Sequence, residues 1–374
     1  MKKLLAFACL LMTGTLLTAQ PVLYFIDNGG IERARTDGTQ RQVVLPASLI
    51  RAKGIAIDVE NERLYWTDWI ADKIQTARLD GTQITDLVTT GLDLPEGIAL
   101  DTAGGKMYWV DSGIKKVQRA NFDGSMVQDL VTYLNVNLDD IALDLAGGKM
   151  YWTDWGAGAA VGRGRRANLD GTQVQDLITI PNGILLGIDL DLAAGKMYWT
   201  NGGLSRIQRA NLDGSQLENL ITNGLSTPNS LALDLAEGKM YWTDLGTKKL
   251  QRANLDGSQV EDLIVNLTAP EGVALTLCQE SGAGCLISLP TALDPPAPEA
   301  IRLFPNPVRD RLVVQGLLHG DRIQIRDLLG RTLAKLPVSH QALEVDLAAF
   351  PPGVYALHIL RGGVWLASWR VRKE

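Results

Sequence analysis

Residues 187–224 read GIDLDLAAGKMYWTNGGLSRIQRANLDGSQLENLITNG, and this unit recurs along the chain. Its tetrapeptide, Tyr-Trp-Thr-Asp or a variant, occurs six times at intervals of 41, 43, 43, 47 and 43 residues. The copies are Tyr24-Phe25-Ile26-Asp27, Tyr65-Trp66-Thr67-Asp68, Tyr108-Trp109-Val110-Asp111, Tyr151-Trp152-Thr153-Asp154, Tyr198-Trp199-Thr200-Asn201 and Tyr241-Trp242-Thr243-Asp244. A period of about 40–45 residues is that of a four-stranded propeller blade. The repeat therefore predicts an all-β chain with a six-bladed β-propeller.

Each unit predicts four short strands, called a to d, with turn residues between them. The c–d connection always contains Asp-Gly followed by Ser or Thr, which suits the positive backbone angles of a tight hairpin. The first unit lacks strand a, whereas an additional strand a, residues 272–277, follows the last strand d. We therefore expect this strand to complete the first blade and close the ring.

The two ends of the chain differ from the repeats. Lys2 and Lys3 precede an apolar run and small residues, which predicts a signal peptide over residues 1–20. The propeller is then expected over residues 21–287. A proline-rich stretch, 288–299, predicts an extended linker, and the alternating strands of 300–374 predict a small immunoglobulin-like β-sandwich. No internal apolar run is long enough to be a transmembrane segment.

Two cysteines remain after the signal peptide. In an exported chain, Cys278 and Cys285 suggest a disulfide, with two free thiols as the alternative. The charge is also uneven, because residues 1–300 carry a net −11, or −13 without the two lysines of the signal peptide. Such an acidic domain repels nucleic acid, so we predict no nucleic-acid partner.

The residue types of the propeller argue against catalysis. All three histidines, His319, His340 and His358, follow the repeats, which excludes a Ser-His-Asp triad or a histidine-based zinc site within them. The aspartate that ends each tetrapeptide recurs in nearly every blade, so we interpret it as a structural residue that joins neighbouring blades. We predict no enzyme activity, no cofactor and no metal.

The repeats resemble low-density-lipoprotein-receptor class B repeats, through the tetrapeptides, the Leu-Asp-Gly-Ser turn and the Pro-Glu-Gly-Ile-Ala segment at 95–99. The resemblance covers residues 21–277 and implies a six-bladed propeller that binds protein ligands on one face. The first copy and Asn201 depart from the family pattern, so altered bonding between those blades is expected.

The C-terminal segment resembles the sorting domain of type IX secretion substrates. The resemblance rests on Leu303-Phe304-Pro305-Asn306-Pro307, on Gly353-Val354-Tyr355 and on the basic terminus. It implies passage through the periplasm, contact with the type IX secretion machinery, and a secreted or outer-cell-surface location. The residues that the resemblance assigns to the sorting signal are Pro305, Asn306, Pro307, Gly353, Tyr355, Arg370, Arg372 and Lys373.

Functional positions are expected where the repeats differ. The b–c loops and d–a connections share one face of the propeller and vary widely, as recognition loops on a rigid scaffold do. Trp69 and Trp155 directly follow their tetrapeptides and predict anchors for a partner, with packing on the adjacent blade as the alternative. The long insertion of the fourth unit, residues 156–164, adds Arg163 and Arg165 nearby.

One position near the start of strand a also varies around the ring. It is occupied by Lys53, Glu96, Asp139, Leu186, Asn229 and Glu271. Three carboxylates at the mouth of a central channel predict a grip on a Lys, Arg or Asn side chain of a partner, or on a cation. The alternative is a set of solvated residues with one ion pair to Lys53.

These observations favour a secreted or cell-surface binding protein that recognises a protein or peptide ligand through its variable top face. One competing hypothesis is a carbohydrate-active hydrolase or lyase that uses carboxylates at the channel mouth. Another is a structural or adhesion component of the surface, in which many weak contacts act together.

Overall fold

The computed structural model describes residues 21–156 and 161–276, and in the C-terminal unit residues 302–304, 311–315, 322–326, 332–337, 342–351, 353–361 and 364–373. The chain divides into two compact units, Met1–Leu289 and Pro290–Glu374. The predicted signal peptide, the cysteines Cys278 and Cys285, and the proline-rich linker lie outside the described residues.

The first unit consists of six four-stranded antiparallel sheets, each one blade. Their strands are β1 Val22–Asp27, β2 Gly30–Arg35, β3 Gln42–Leu45, β4 Ala52–Asp58, β5 Arg63–Asp68, β6 Lys73–Arg78, β7 Thr85–Val88, β8 Pro95–Asp101, β9 Lys106–Asp111, β10 Lys116–Asn121, β11 Gln128–Thr132, β12 Val136–Asp144, β13 Lys149–Gly156, β14 Val161–Asn168, β15 Gln175–Pro181, β16 Leu185–Asp191, β17 Lys196–Asn201, β18 Arg206–Asn211, β19 Glu218–Ile221, β20 Pro228–Asp234, β21 Lys239–Asp244, β22 Lys249–Asn254, β23 Glu261–Ile264 and β24 Pro270–Leu275. The architecture predicted from the repeat is confirmed.

The ring closes between the two ends of the repeat region. Blade 1 has the strand order β24-β1-β2-β3, and β24 pairs antiparallel with β1, so that Tyr24 lies opposite Ala274. The predicted closing strand is therefore confirmed. Blades 2 to 6 follow in chain order and each begin with their own strand a: β4, β8, β12, β16 and β20.

The tyrosine and tryptophan of the tetrapeptide form the core between blades. The five tryptophans at this position, Trp66, Trp109, Trp152, Trp199 and Trp242, are at most 1% exposed. Burial of side chains this large is the main source of stability in the ring. The repeated residues are thus inaccessible to a ligand.

The aspartate of the tetrapeptide accepts hydrogen bonds from backbone N–H groups. Asp68 accepts backbone N–H bonds from Arg51 at 2.8 Å and from Ala71 at 2.9 Å, which ties the d–a connection to the b–c loop. Because that connection leads in from the preceding blade, this contact also helps to join neighbouring blades, as expected. The preceding threonine bonds to the next blade directly, since the Thr67 hydroxyl donates to the carbonyl of Glu96 at 2.6 Å.

The Asp-Gly turns lie against the neighbouring blade. Gly124 has φ of 82° and a Cβ there would lie 1.9 Å from the carbonyl oxygen of Leu87. Only glycine fits both the left-handed backbone and this close approach. The turn chemistry is therefore also part of the packing between blades.

Blade 4 differs from the others in its tryptophan. In blades 2, 3, 5 and 6 the indole Nε1 donates to a glutamine on strand c, as Trp242 does to Gln251 at 3.1 Å. In blade 4 Arg165 lies at the glutamine position, opposite Trp152. Among the described residues, the buried Nε1 of Trp152 has no hydrogen-bond partner.

We expect Trp242→Phe to lower the free energy of unfolding by about 1–2 kcal/mol more than Trp152→Phe. Both variants lose the same side-chain volume, but only the first leaves the glutamine oxygen of Gln251 unpaired. Urea denaturation of the two variants measures the difference. Equal losses would show that the indole hydrogen bond contributes nothing.

The described residues of the C-terminal unit form two antiparallel sheets. Their strands are β25 Arg302–Phe304, β26 Arg311–Gln315, β27 Arg322–Arg326, β28 Thr332–Pro337, β29 Ala342–Asp346, β30 Gly353–Arg361 and β31 Val364–Lys373. The first sheet has the order β25-β26-β29 and the second β28-β27-β30-β31. Both sheets contribute to one buried cluster, including Leu312, Ile323 and Tyr355. The immunoglobulin-like sandwich stays a prediction.

Candidate functional site

The central channel is lined by the six a strands and encloses about 290 Å³. Its upper mouth lies on the face formed by the b–c loops and d–a connections, here called the top face. The mouth carries the side chains of Lys53, Glu96, Asp139, Asn229 and Glu271. Leu186, at the same position of blade 5, is instead buried. Five of the six positions predicted to surround the mouth therefore line it.

Lys53 bridges the carboxylates of the two neighbouring blades. Its Nζ lies 2.7 Å from Oε2 of Glu271 and 3.7 Å from Oε2 of Glu96. Asn229 also donates a hydrogen bond to Glu271. The predicted ion pair is present, but a single lysine faces three carboxylates, so the mouth retains excess negative charge.

The environment shifts the pKa values of these groups. Burial, opposed by Lys53, raises the pKa of Glu96 to about 8 and that of Asp139 to about 6. Repulsion by Glu271 adds to both shifts, and repulsion by Asp139 adds to that of Glu96. Burial lowers the pKa of Lys53, but Glu96, Glu271 and Asp139 together raise it above its usual value. Lys53 is therefore protonated over the whole physiological range, whereas Glu96 changes charge near neutral pH.

Two further aspartates lie in the channel wall, and sequence reasoning missed both. Asp140 stands where other blades have glycine or serine, and Asp189 stands where the other blades have alanine. Each accepts a backbone N–H bond from the next blade: Ile188 donates to Asp140 at 3.1 Å and Leu233 to Asp189 at 2.8 Å. Burial raises the pKa of Asp140 to about 8 and that of Asp189 to about 6. Alignment of the a strands with each other would have revealed them.

An exposed apolar patch lies on the top face beside Lys53. It consists of Leu49, Trp69, Ile70 and Leu94, which are 66%, 36%, 60% and 38% exposed. Hydrogen bonds join the three loops that carry it: Trp69 N–H donates to the Arg51 carbonyl, and Leu94 N–H to Asp72. Trp69 thus lies on loops that also carry three exposed aliphatic residues, which favours an anchor over simple packing.

Blade 4 places its predicted residues differently. Trp155 is half-buried on an extended β13, opposite Gly162 in the hairpin. Arg165 is 8% exposed, with its Nε 2.7 Å from the buried Asp154 and its guanidinium 4.4 Å from the Tyr133 ring centre. Arg163 lies 3.6 Å from the same carboxylate and is 26% exposed. Both arginines thus pair with Asp154 at the base of the hairpin. Arg165 is too deeply buried to contact a ligand.

Asp154 also departs from the rule set by the other tetrapeptides. Where Asp68 accepts backbone N–H groups, Asp154 is paired with Arg163 and Arg165. Burial raises the pKa of Asp154 to about 6 against the opposing effect of the arginines. In the longer hairpin of blade 4, the aspartate therefore pairs with two arginine side chains where the other aspartates accept backbone N–H groups.

Metal-ligating side chains are not clustered in the described parts of the chain. There, no group of three or more His, Cys, Asp and Glu side chains is arranged to hold a metal ion. Nor do those residues include any helix with the length and apolarity to cross a membrane.

In the C-terminal unit, two predicted sorting residues have structural contacts. Tyr355 is 6% exposed and donates to the Pro351 carbonyl at 2.5 Å. Lys373 is 7% exposed, and its ammonium donates to the carbonyls of Leu347 and Phe350 at 2.6 Å. Gly353, Arg370 and Arg372 lie on β30 and β31. The motif Pro305, Asn306 and Pro307 lies outside the described residues.

Fold and sequence together define the class of protein: a six-bladed β-propeller followed by an export domain. The family model for low-density lipoprotein receptor repeat class B matches residues 62–102, 195–235 and 238–275. The model for the secretion system C-terminal sorting domain matches residues 302–365. The chain therefore carries class B repeats and a type IX sorting domain, and it is a secreted or cell-surface protein.

Solved structures show the same fold. A chain from the crystal structure of a nidogen/laminin complex is 26% identical with a TM-score of 0.62, and the match covers 69% of this chain and 98% of that chain. Two weaker matches show the fold alone. Hydrazine synthase of Kuenenia stuttgartiensis is 12% identical with a TM-score of 0.51, covering 61% of this chain and 71% of its own. A gluconolactonase of Xanthomonas campestris is 17% identical with a TM-score of 0.50, covering 59% and 78%. No curated protein matches.

Proposed function

We propose that the propeller is a non-enzymatic binding module that takes a protein or peptide ligand on its top face. The observation that carries this proposal is the exposed patch of Leu49, Trp69, Ile70 and Leu94 beside an acidic channel mouth. Exposed apolar patches bordered by polar groups are typical of interaction sites. The nidogen/laminin complex supports the proposal, because a propeller chain similar to this one was crystallised in a protein complex.

The charge of the mouth defines the chemistry of the ligand. Glu96, Asp139 and Glu271 outnumber Lys53, and the buried Oε2 of Glu96 accepts no hydrogen bond within the described part of the chain. A lysine or arginine of the partner would supply both the charge and the donor. The patch beside the mouth would hold an apolar residue of the same segment. The ligand is therefore a peptide segment with a basic residue next to an aliphatic or aromatic one.

Selection from a random displayed peptide library tests the proposal, with the full chain as the bait. We expect the selected peptides to combine a basic and an apolar residue. Trp69→Ala plus Trp155→Ala should weaken their binding by about tenfold or more, as loss of an aromatic hot spot does. Glu96→Gln plus Glu271→Gln should weaken it and reduce its dependence on salt.

The matched control is Leu192→Ala on the opposite face. Leu192 is 42% exposed in the a–b turn of blade 5, so its removal should leave peptide binding unchanged. Peptides that bind the tryptophan and carboxylate variants with unchanged affinity would contradict the proposed site, and a selection of acidic peptides would contradict the proposed ligand chemistry.

One observation favours a second candidate function. Glu96 has a pKa of about 8 and lies near Asp139 and Glu271, and a carboxyl held protonated near neutral pH is what a general acid requires. A carbohydrate-active hydrolase or lyase would use such a pair. Turnover on a panel of polysaccharides, abolished by Glu96→Gln, would establish this activity in place of binding.

A further inference from the structure

We propose that the ring has a tight half and a loose half, and that blades 2 and 3 move together at the channel mouth. The inference concerns the connections between blades and holds whatever ligand binds. The interface between two neighbouring blades is here called a seam and is numbered by its blades, so that seam 1/2 lies between blades 1 and 2. Two kinds of hydrogen bond cross the seams near the channel. Both are present at three consecutive seams, whereas the other three seams have at most one of them.

The first kind is donated by the threonine of the tetrapeptide. Thr153, Thr200 and Thr243 each donate to a backbone carbonyl of the following blade, at Leu186, Asn229 and Glu271. Thr67 makes the same bond from blade 2 to blade 3. Blade 1 has Ile26 and blade 3 has Val110 at this position. Neither side chain has a donor, so this bond is lost at the seams 1/2 and 3/4.

The second kind comes from the channel wall. Asp140 accepts from Ile188 across seam 4/5, Asp189 from Leu233 across seam 5/6, and the Ser230 hydroxyl from Val273 at 3.1 Å across seam 6/1. At the other three seams, the corresponding positions are glycine or alanine: Gly272, Ala274, Gly54, Ala56, Gly97 and Ala99. These residues have no side-chain acceptor.

Seams 4/5, 5/6 and 6/1 thus have both bonds, and seam 2/3 has one. Within the described ranges, neither kind of bond crosses seams 1/2 or 3/4. These two seams do have links away from the wall: Tyr24 donates to the Leu79 carbonyl at 3.2 Å, and Arg119 to the Leu169 carbonyl at 3.0 Å. Ala52 N–H also donates to the Gly29 carbonyl at 2.9 Å. Lys115 also donates to Asn137 at 3.2 Å across seam 3/4. In the proposal, these links are the pivots about which blades 2 and 3 turn.

Lys53 connects the loosely joined blades at the channel mouth. Its salt bridge to Glu271 crosses seam 1/2, and its approach to Glu96 lies within the moving pair. The Lys53–Glu271 pair is largely buried, with side chains 21% and 17% exposed, but Glu96 and Asp139 also face the same ammonium. A competing cation at the mouth can therefore displace Lys53 from one carboxylate, whereas a buried threonine bond has no such competitor. The Lys53–Glu271 salt bridge therefore holds blades 1 and 2 together at the channel mouth, and breaking it allows the mouth to widen.

Spin labels at equivalent positions test this asymmetry. Val127, Val174, Leu217 and Val260 occupy the same place after the c–d turn of blades 3 to 6 and are 42–44% exposed. Cysteines would be placed in pairs in the full chain, with Cys9, Cys278 and Cys285 changed to serine. The pair 127/217 spans seams 3/4 and 4/5, and the matched pair 174/260 spans seams 4/5 and 5/6. Double electron–electron resonance then gives the two distance distributions.

We expect the distribution for the pair 127/217 to be at least twice as wide as that for the pair 174/260. Val110→Thr, which restores the missing donor, should narrow it. Asp140→Gly plus Thr153→Val, which gives seam 4/5 the residues of seam 3/4, should widen the pair 174/260. Equal widths in the parent chain, or a width for 174/260 that the double variant does not change, would overturn the proposal.

Discussion

Replacement of Asp244 by alanine is expected to lower the free energy of unfolding of the propeller by about 4 kcal/mol. The carboxylate is fully buried and accepts backbone N–H bonds from Ser226 at 2.9 Å, Thr227 at 3.1 Å and Thr247 at 2.9 Å. Alanine leaves three backbone donors of this part-buried site without their acceptor, each at about 1–3 kcal/mol. Urea denaturation followed by tryptophan fluorescence measures the loss.

Asp213→Ala is the matched control. Asp213 also accepts a backbone N–H bond, from Ser215 at 2.9 Å, but it is exposed in a c–d turn, where water replaces the bond. Its loss should be below about 1 kcal/mol. A loss for Asp244→Ala no larger than that for Asp213→Ala would contradict a structural role for the aspartate of the tetrapeptide.

Stability is expected to fall as pH rises from 5 to 9, because of the channel carboxyls. The pKa values of Glu96 and Asp140 are about 8 in the folded chain and about 4 in an unfolded one. A group whose pKa is raised by folding stabilises the protein below its unfolded pKa, and this contribution is lost as pH rises through the folded pKa. Above pH 8 both carboxyls are charged inside the channel.

Lys53→Met should make this dependence steeper. At pH 8 the variant leaves Glu96, Asp139 and Glu271 without their cation, which is expected to cost about 3–5 kcal/mol. At pH 5 Glu96 and Asp139 are protonated, so the loss should be about 1 kcal/mol. Thermal unfolding at the two pH values measures the difference.

Lys73→Met provides the comparison for a surface ion pair. Lys73 lies 2.7 Å from Asp86, and both side chains are at least 34% exposed, so its loss should be below about 1 kcal/mol at either pH. A loss for Lys53→Met that does not depend on pH would show that the channel carboxyls do not titrate as described.

The repeat predicted most of the fold because each blade repeats the same local pattern. The tetrapeptides, the Asp-Gly turns and the unpaired strand near residue 272 were sufficient to predict six blades and the closure of β24 on β1. Comparison of the blades also predicted the acidic mouth. Lys53, Glu96, Asp139, Asn229 and Glu271 occupy one strand position, and strands of equal register converge on the axis.

The contacts of single side chains could not be predicted in this way. Arg163 and Arg165 read as exposed loop residues, yet Arg165 is buried against Asp154, because it occupies the strand-c position that holds a glutamine opposite the tryptophan in blades 2, 3, 5 and 6. Lys373 read as part of a basic terminus, yet its ammonium binds the backbone carbonyls of Leu347 and Phe350. Charge alone does not indicate whether a buried partner is nearby.

The sequence by itself determined the number of blades, the closing strand and the export domain, since these depend on periodicity and motifs along the chain. Only the tertiary structure decided which exceptions to the repeat form a site. Trp69 joins Leu49, Ile70 and Leu94 in one exposed patch because hydrogen bonds between loops hold them together. Asp140 and Asp189 bond to the next blade because the a strands approach each other at the channel. Residues that are far apart in the sequence come into contact there, and no local sequence pattern indicates such a contact.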